Sequence, residues 1–338
     1  MSTARWSHKW VVDGWDVWDA EVSGHPARFG WLWSTTMTFF SARVQPDWQG
    51  SFNLADVGGL PFREGGFTRP GRVFRSGRPD YVTPTGWRAA RAAGVTTVID
   101  LRNVGDAEHT SLDTNTAANT AANTAANTAA NTAANTAANT AANTAANTAT
   151  NTAANTAANT ATNTAARNTS IETDADTLAG IRFIACPTED PDDPQFIEIC
   201  GPWLDHPLSY PDNIRLYPDK FVSVFREIAG AEAAVLVHCA AGRDRTGMVI
   251  AMLLHLAGVT PEAVADDYAA AMIRFNAGLG VVPGLTGETP HSAEVMEERI
   301  ASRRPAMLDW LASLDVGAYL RDAGLSESEV DSVKNRLR

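Results

Sequence analysis

The chain has 338 residues, of which 39 are acidic and 27 basic, for a formal charge of −12, and 44% of its residues are apolar. These values exclude a collagen-like, disulfide-scaffold or wholly disordered protein and allow one large domain or two ordinary ones. The acidic total also speaks against nucleic acid or anionic lipid as a partner, because both need clustered Lys and Arg to displace counterions, so any anion site must be a local exception.

Residues 1–47 carry six of the ten tryptophans, Trp6, Trp10, Trp15, Trp18, Trp31 and Trp33, with no sustained period of 2 or 3.6. This segment is expected to be a poorly ordered leader, with an aromatic binding arm as the rival reading. Asp13, Asp16 and Asp19 interrupt what would be the apolar stretch of a secretory signal. Cys186, Cys200 and Cys239 are too few and too irregularly spaced for a disulfide framework or a zinc site. No uncharged apolar run approaches the ~18 residues of a membrane span. A cytoplasmic protein without a membrane span is expected.

One domain is expected over residues 48–338, interrupted at 114–169 by a low-complexity insertion. From Asn115 to Ala166 the sequence is thirteen tetrads of Asn-Thr-Ala-Ala, broken only by Thr150 and Thr162. A four-residue period drifts ~40° per repeat around a 3.6-residue helix and keeps no face. With nothing large to bury, the block does not offset its ordering entropy, which makes it a solvated surface insertion. Its 52 residues carry no charge, so the other 286 hold all 66 charged side chains, about 23%, close to the globular norm.

The remaining elements alternate. Pro84 to Ala93 reads as a helix closed by Gly94. Thr97 to Leu101, Ile181 to Ala185 and Ala234 to His238 are short apolar or β-branched runs suited to a sheet covered on both faces. Lys220 to Ile228 puts Phe221, Val224, Phe225 and Ile228 on one helical face. Met248 to Ala257 is almost continuously apolar and stops at Gly258, the pattern of a buried central helix. Thr260-Pro261 then supplies an N-cap and an N1 proline for a helix striped by Val264, Tyr268, Met272 and Phe275. The interleaving predicts an α/β fold with a central, largely parallel sheet flanked by helices. Residues 278–338 are predicted to form an all-helical tail.

The chemistry gathers where the third of those runs ends: His238-Cys239-Ala240-Ala241-Gly242-Arg243-Asp244-Arg245-Thr246-Gly247. Five residues separate a cysteine from an arginine on a loop leading from a strand into a helix N-terminus. Such a loop can turn successive N–H groups inward as an anion nest, with the helix dipole behind them. Small residues at Ala240, Ala241 and Gly242 allow close backbone approach to a phosphate, and Gly242 permits positive φ. Arg245 offers a planar fork for two phosphate oxygens, and Arg243 adds charge. The same field favours the thiolate of Cys239, making it a nucleophile. Thr246 can donate its hydroxyl to that sulfur as it leaves.

His-Cys-x5-Arg-Thr-Gly resembles the signature of the cysteine-dependent protein tyrosine phosphatases. The full string, with Asn53-Leu54-Ala55-Asp56-Val57-Gly58-Gly59, Arg72 to Gly77 and Val98 to Arg102, is similar to their bacterial tyrosine/serine branch, which includes a secreted mycobacterial enzyme. The resemblance spans roughly residues 48 to 112 and 178 to 275. Ala55 stands where that family usually has arginine, and Arg243 where lysine is usual. What the resemblance implies is a phosphatase fold and hydrolysis of phosphomonoesters through a phosphocysteine, without a cofactor or metal. The implied partner is a phosphorylated protein or a small phosphomonoester; a phosphoinositide substrate and a non-catalytic phosphate-binding module are the alternatives.

Phosphotransfer to Cys239 needs a proton donor for the leaving oxygen. Asp244 is the first candidate because it lies in the loop, and the resembling branch lacks a movable acid loop. Asp100 is the second, at the end of a neighbouring strand, where parallel-sheet sites collect. Asp205, 34 residues before the cysteine, has the spacing of the movable-loop acid in the wider superfamily. Asp190, Asp192 and Asp193 read as a solvated, proline-rich turn. His238 is expected to orient the loop, Cys186 and Cys200 to be structural, and Asp56, Arg75 and Arg102 to support the site from behind.

Overall fold

The structure is a computed structural model that describes residues 9–12, 15–18, 45–103, 175–279 and 288–338. The chain divides into two units, Met1–Arg43 and Val44–Arg338. In the first, strands β1 (Lys9–Val12) and β2 (Trp15–Trp18) pair antiparallel with Trp10 opposite Val17. Only Asp13-Gly14 separates them in sequence, a favoured hairpin dipeptide. The rest of the expected leader up to Val44, and the whole 114–169 insertion, lie outside the described residues.

The second unit holds a five-stranded sheet built from β3 (Ala55–Asp56), β4 (Val73–Ser76), β5 (Val95–Asp100), β6 (Arg182–Ala185) and β7 (Ala234–His238). The order is β3-β4-β7-β5-β6, with β3 antiparallel and the other four parallel. β7 is therefore central, between strands that precede it by more than a hundred residues. Parallel strands covered on both faces need apolar side chains pointing each way, and β7 supplies them: Val235 and Val237 enter one core, Ala234 and Leu236 the other.

Nine α-helices of six or more residues surround this sheet among the described residues. They are α1 (Pro84–Ala92), α2 (Pro194–Ile199), α3 (Tyr210–Leu216), α4 (Pro218–Gly230), α5 (Asp244–Ala257), α6 (Pro261–Leu279), α7 (Ala293–Ser313), α8 (Val316–Asp322) and α9 (Glu327–Asn335). Trp87 of α1 packs with Phe74, Val98, Phe183 and Leu236 on one face of the sheet. On the other, α5 is buried along nearly its whole length, with α4, α6 and the C-terminal helices around it. Gly258 ends α5 at φ +92, the left-handed conformation of a helix C-terminus. The expected buried helix thus begins four residues earlier than its apolar run, because Asp244 to Gly247 form the turn that meets the loop. No helix among the described residues is long and apolar enough to cross a membrane.

Candidate active site

β7 delivers Cys239 to the C-terminal edge of the sheet, where the ends of β4 and β5 lie on either side: Ser76 and Asp100 both stand in register with His238. Cys239 is 2% exposed, and its Sγ accepts a hydrogen bond from the Gly242 amide at 3.2 Å. Gly242 sits at φ +68, and a Cβ there would lie 2.4 Å from the Ser76 and Gly77 backbone, so only glycine closes the loop. Three successive carbonyls of the loop find donors outside it. The Arg78 amide binds the Ala240 oxygen, Asn53 Nδ2 the Ala241 oxygen and Arg75 Nη2 the Gly242 oxygen, each at 2.9 Å. With those oxygens held outward, the amide groups are left for the interior of the loop, at the N-terminus of α5.

Asp244 opens α5 and is braced from three directions. One carboxylate oxygen accepts from Arg243 Nε at 2.8 Å, the other from the Tyr268 hydroxyl at 3.3 Å, and its backbone carbonyl accepts from the Tyr210 hydroxyl at 3.2 Å. Burial, reinforced by the Asp244 charge, pushes the Tyr268 phenol well up and keeps it a donor. Arg243 also reaches Glu288 at 3.2 Å and lies over the Phe275 ring at 4.6 Å. Burial works against its charge, but Asp244 and Glu288 outweigh it and raise the pKa of the guanidinium. Of the two loop arginines, Arg243 is thus engaged with the acid beside it. Arg245 lies 3.6 Å from Glu189, a residue of the segment after β6 that is itself held by Asn213 at 3.3 Å. Thr246 is fully buried, and its hydroxyl has no hydrogen-bond partner among the described residues. Ala240 and Ala241 keep the rim of the loop free of bulk.

Asp100 is at the rim too, but in a different electrical setting. Arg102 binds it through Nε at 2.9 and 3.0 Å and through Nη2 at 2.7 Å, and His238 Nδ1 lies 3.7 Å away. Burial acts to raise the Asp100 carboxyl; His238 and Arg102 outweigh it and hold the pKa below the ordinary range. His238 is itself buried, which lowers its pKa against the pull of Asp100. Its Nδ1 lies 3.4 Å from the Cys239 carbonyl, the geometry of a residue that fixes the loop's first peptide.

Asp205 is bound to the C-terminal helices. Arg299 and Arg303 of α7 reach its carboxylate at 2.6 and 2.8 Å, and Arg303 Nε its carbonyl at 2.9 Å. Burial would raise this carboxyl, and the two arginines hold it low. Asp193 caps α2 through the Gln195 amide at 2.9 Å and accepts from Tyr217 at 2.8 Å; Asp190 accepts from the Asp192 amide at 3.1 Å. Asp56 ties Gly58 and Gly71 at 2.8 and 2.6 Å. Burial pushes the thiols of Cys186 and Cys200 up to about 12 and about 11, which suits structural residues. No group of three metal-ligating side chains gathers among the described residues.

Several residues of the site carried no sequence signal. Asn53 was visible only as part of a resembling string, and Glu189 as one acid among several. Tyr268 and Phe275 belonged to an apolar stripe, which explains their rings but neither the hydroxyl at Asp244 nor the face under Arg243.

The comparisons agree with this geometry. The model of the "Tyrosine phosphatase family" matches residues 46–179 and 205–338, so the chain belongs to that family. A tyrosine-protein phosphatase from Nostoc commune is 35% identical over 130 residues, covering 35% of this chain and 44% of the relative. The triple specificity protein phosphatase PtpB of Mycobacterium tuberculosis is 29% identical over 128 residues, covering 32% of this chain and 46% of the relative. The matched stretch therefore spans less than half of either relative's length.

Proposed function

We propose that the protein is a protein tyrosine phosphatase that hydrolyses phosphomonoesters through a phosphocysteine on Cys239. The observation that carries this reading is the loop itself, which buries a cysteine between outward-held carbonyls and ends in Arg245 at a helix N-terminus. Cys239 Sγ attacks phosphorus in line with the ester oxygen; the S–P bond forms as the P–O bond breaks. Loop amides from Ala240 to Arg243 and the Arg245 fork stabilise the equatorial oxygens. Asp244 gives its proton to the departing oxygen. It then takes one from the water that attacks the phosphocysteine, so that inorganic phosphate and the Cys239 thiolate are regenerated. The unpartnered Thr246 hydroxyl is available to donate to the sulfur at that second step.

Asp244 is preferred because it lies within the loop, at the first turn of α5, and although it too accepts from an arginine, Asp205 is tied away to α7 by Arg299 and Arg303 and Asp100 is gripped through both oxygens by Arg102. The mycobacterial relative's name, a triple specificity protein phosphatase, supports activity on more than one class of phosphomonoester. A phosphoinositide substrate finds less support, since it would use both loop arginines and Arg243 is engaged with Asp244 and Glu288. A phosphorylated protein in the cytoplasm fits three free, buried cysteines and an acidic surface unsuited to nucleic acid.

The test is a panel of phosphotyrosine, phosphoserine and inositol-lipid substrates on wild type and Cys239→Ser. Hydrolysis of phosphotyrosine peptide by wild type and none by the variant is expected. Turnover retained without the thiol excludes the phosphocysteine route, and a silent wild type that binds phosphopeptide indicates a binding module.

A further inference from the structure

We propose that helix α6 sets the shape of the phosphate loop from behind, with Asp267 acting through Arg75 and Arg274 acting through Asn53. These four would be positioning residues; the proposal rests on reading the loop as a phosphate site.

Arg75 comes from β4 and Asp267 from α6, and each is 1% exposed; their charged ends are 2.5 Å apart. Removing two charges from water costs several kcal/mol before their attraction is counted. Strand β4 needs no such pair for packing, since Val73 and Phe74 beside Arg75 are ordinary core residues. What the pair gains is a second contact: the other terminal nitrogen of Arg75 donates to the Gly242 carbonyl at 2.9 Å. A planar guanidinium spans the carboxylate and the carbonyl at once, whereas a lysine ends in a single nitrogen.

Asn53 repeats the arrangement one peptide earlier. It is buried at φ +49, a backbone conformation that asparagine and glycine tolerate. Its Nδ2 donates to the Ala241 carbonyl at 2.9 Å, and its Oδ1 accepts from Arg274 Nε at 3.3 Å. The Arg274 contact decides which way the amide faces, because a flipped amide would set N–H against N–H. Asp267 and Arg274 are seven residues apart, two turns along one face of α6. One helix face therefore governs two successive carbonyls of the loop, neither of which touches the other. Were either peptide to rotate, a carbonyl oxygen would face the phosphate in place of an amide, turning attraction into repulsion.

Asn53→Gly tests this without strain or added charge, since glycine accepts the positive φ. Three quantities are compared with wild type: kcat on an aryl phosphate, the inhibition constant of inorganic phosphate, and the melting temperature. A fall in kcat on the order of 10²-fold, with phosphate inhibition weakened in parallel and melting close to wild type, is expected. Asp267→Asn should shift kcat and phosphate inhibition in the same direction; if it does not fold, Asn53→Gly decides alone. Variants that melt earlier but keep wild-type kcat and phosphate affinity per folded molecule would overturn the proposal and leave a merely structural role. A wild type that binds phosphate and hydrolyses nothing overturns the phosphatase reading instead, while phosphate affinity still scores the four residues.

Discussion

Arg102 grips both carboxylate oxygens of Asp100, with contacts between 2.7 and 3.0 Å, and so favours its ionised form one residue across the sheet from His238-Cys239. The arrangement has two consequences, one for catalysis and one for stability. Asp100 has no proton to give, so Asp100→Asn should keep the limb of the pH–rate profile that reports the protonated acid. Because the folded pKa is depressed, the carboxylate contributes stability above its unfolded value of about 4, and loses it as pH falls through the lower folded value. Asp100→Asn is therefore expected to melt below wild type at neutral pH, with the gap closing in acid; thermal melts across that range check it.

Asp244 should behave in the opposite way. Asp244→Asn is expected to lose the acid-dependent limb and to lower kcat by roughly 10²-fold on a phenyl or alkyl phosphate. The loss should be smaller on an ester with an activated leaving group, which needs no proton. Comparison of the two leaving groups in steady-state assays is the measurement.

Tyr268 links that carboxylate to the core through a 3.3 Å hydrogen bond. Tyr268→Phe keeps the buried ring and removes only the donor. A loss of about 1 kcal/mol in unfolding free energy and a change in kcat smaller than that of Asp244→Asn are expected, read by denaturant titration and kinetics on the same samples.

Asp205 separates stability from chemistry. Its carboxylate is partly exposed, so solvent screening discounts the ion pairs, but its carbonyl and carboxylate together anchor Arg303. Asp205→Ala should lower stability by about 1 kcal/mol and leave the limbs of the pH–rate profile in place. A lost acid limb would instead return Asp205 to the role of proton donor.

Gly242→Ala joins a left-handed φ to a 2.4 Å approach to the Ser76 and Gly77 backbone. Neither can relax without moving β4 away from β7, so activity and phosphate binding should both be lost, with a fall in melting temperature. Wild-type kinetics in this variant would show that the loop is not held as described.

By itself the sequence determined three of the five strands, β5, β6 and β7, and the spacing of the loop, while β3, only two residues long, had no period to read. Ala234 to His238 was legible as a strand because a parallel strand covered on both faces must be apolar at every position, and the described β7 has those bounds. The buried helix and its Gly258 end were legible for the same kind of local reason, whereas α2 and α3, short and rich in proline and polar residues, gave no period to read. The cysteine, the arginine and the glycine were legible because an anion loop needs them within a few residues of one another. Tertiary structure alone decided the partners: Arg75 with Asp267, Asn53 with Ala241, Glu189 with Arg245 and Tyr268 with Asp244. These pairs join residues 24 to 192 positions apart, and a charge or a hydroxyl acquires its role from what the fold brings within about 3 Å of it. The same physics separates the three candidate acids, since Asp100, Asp205 and Asp244 are alike as letters and differ only in the cations and donors that the fold sets around each.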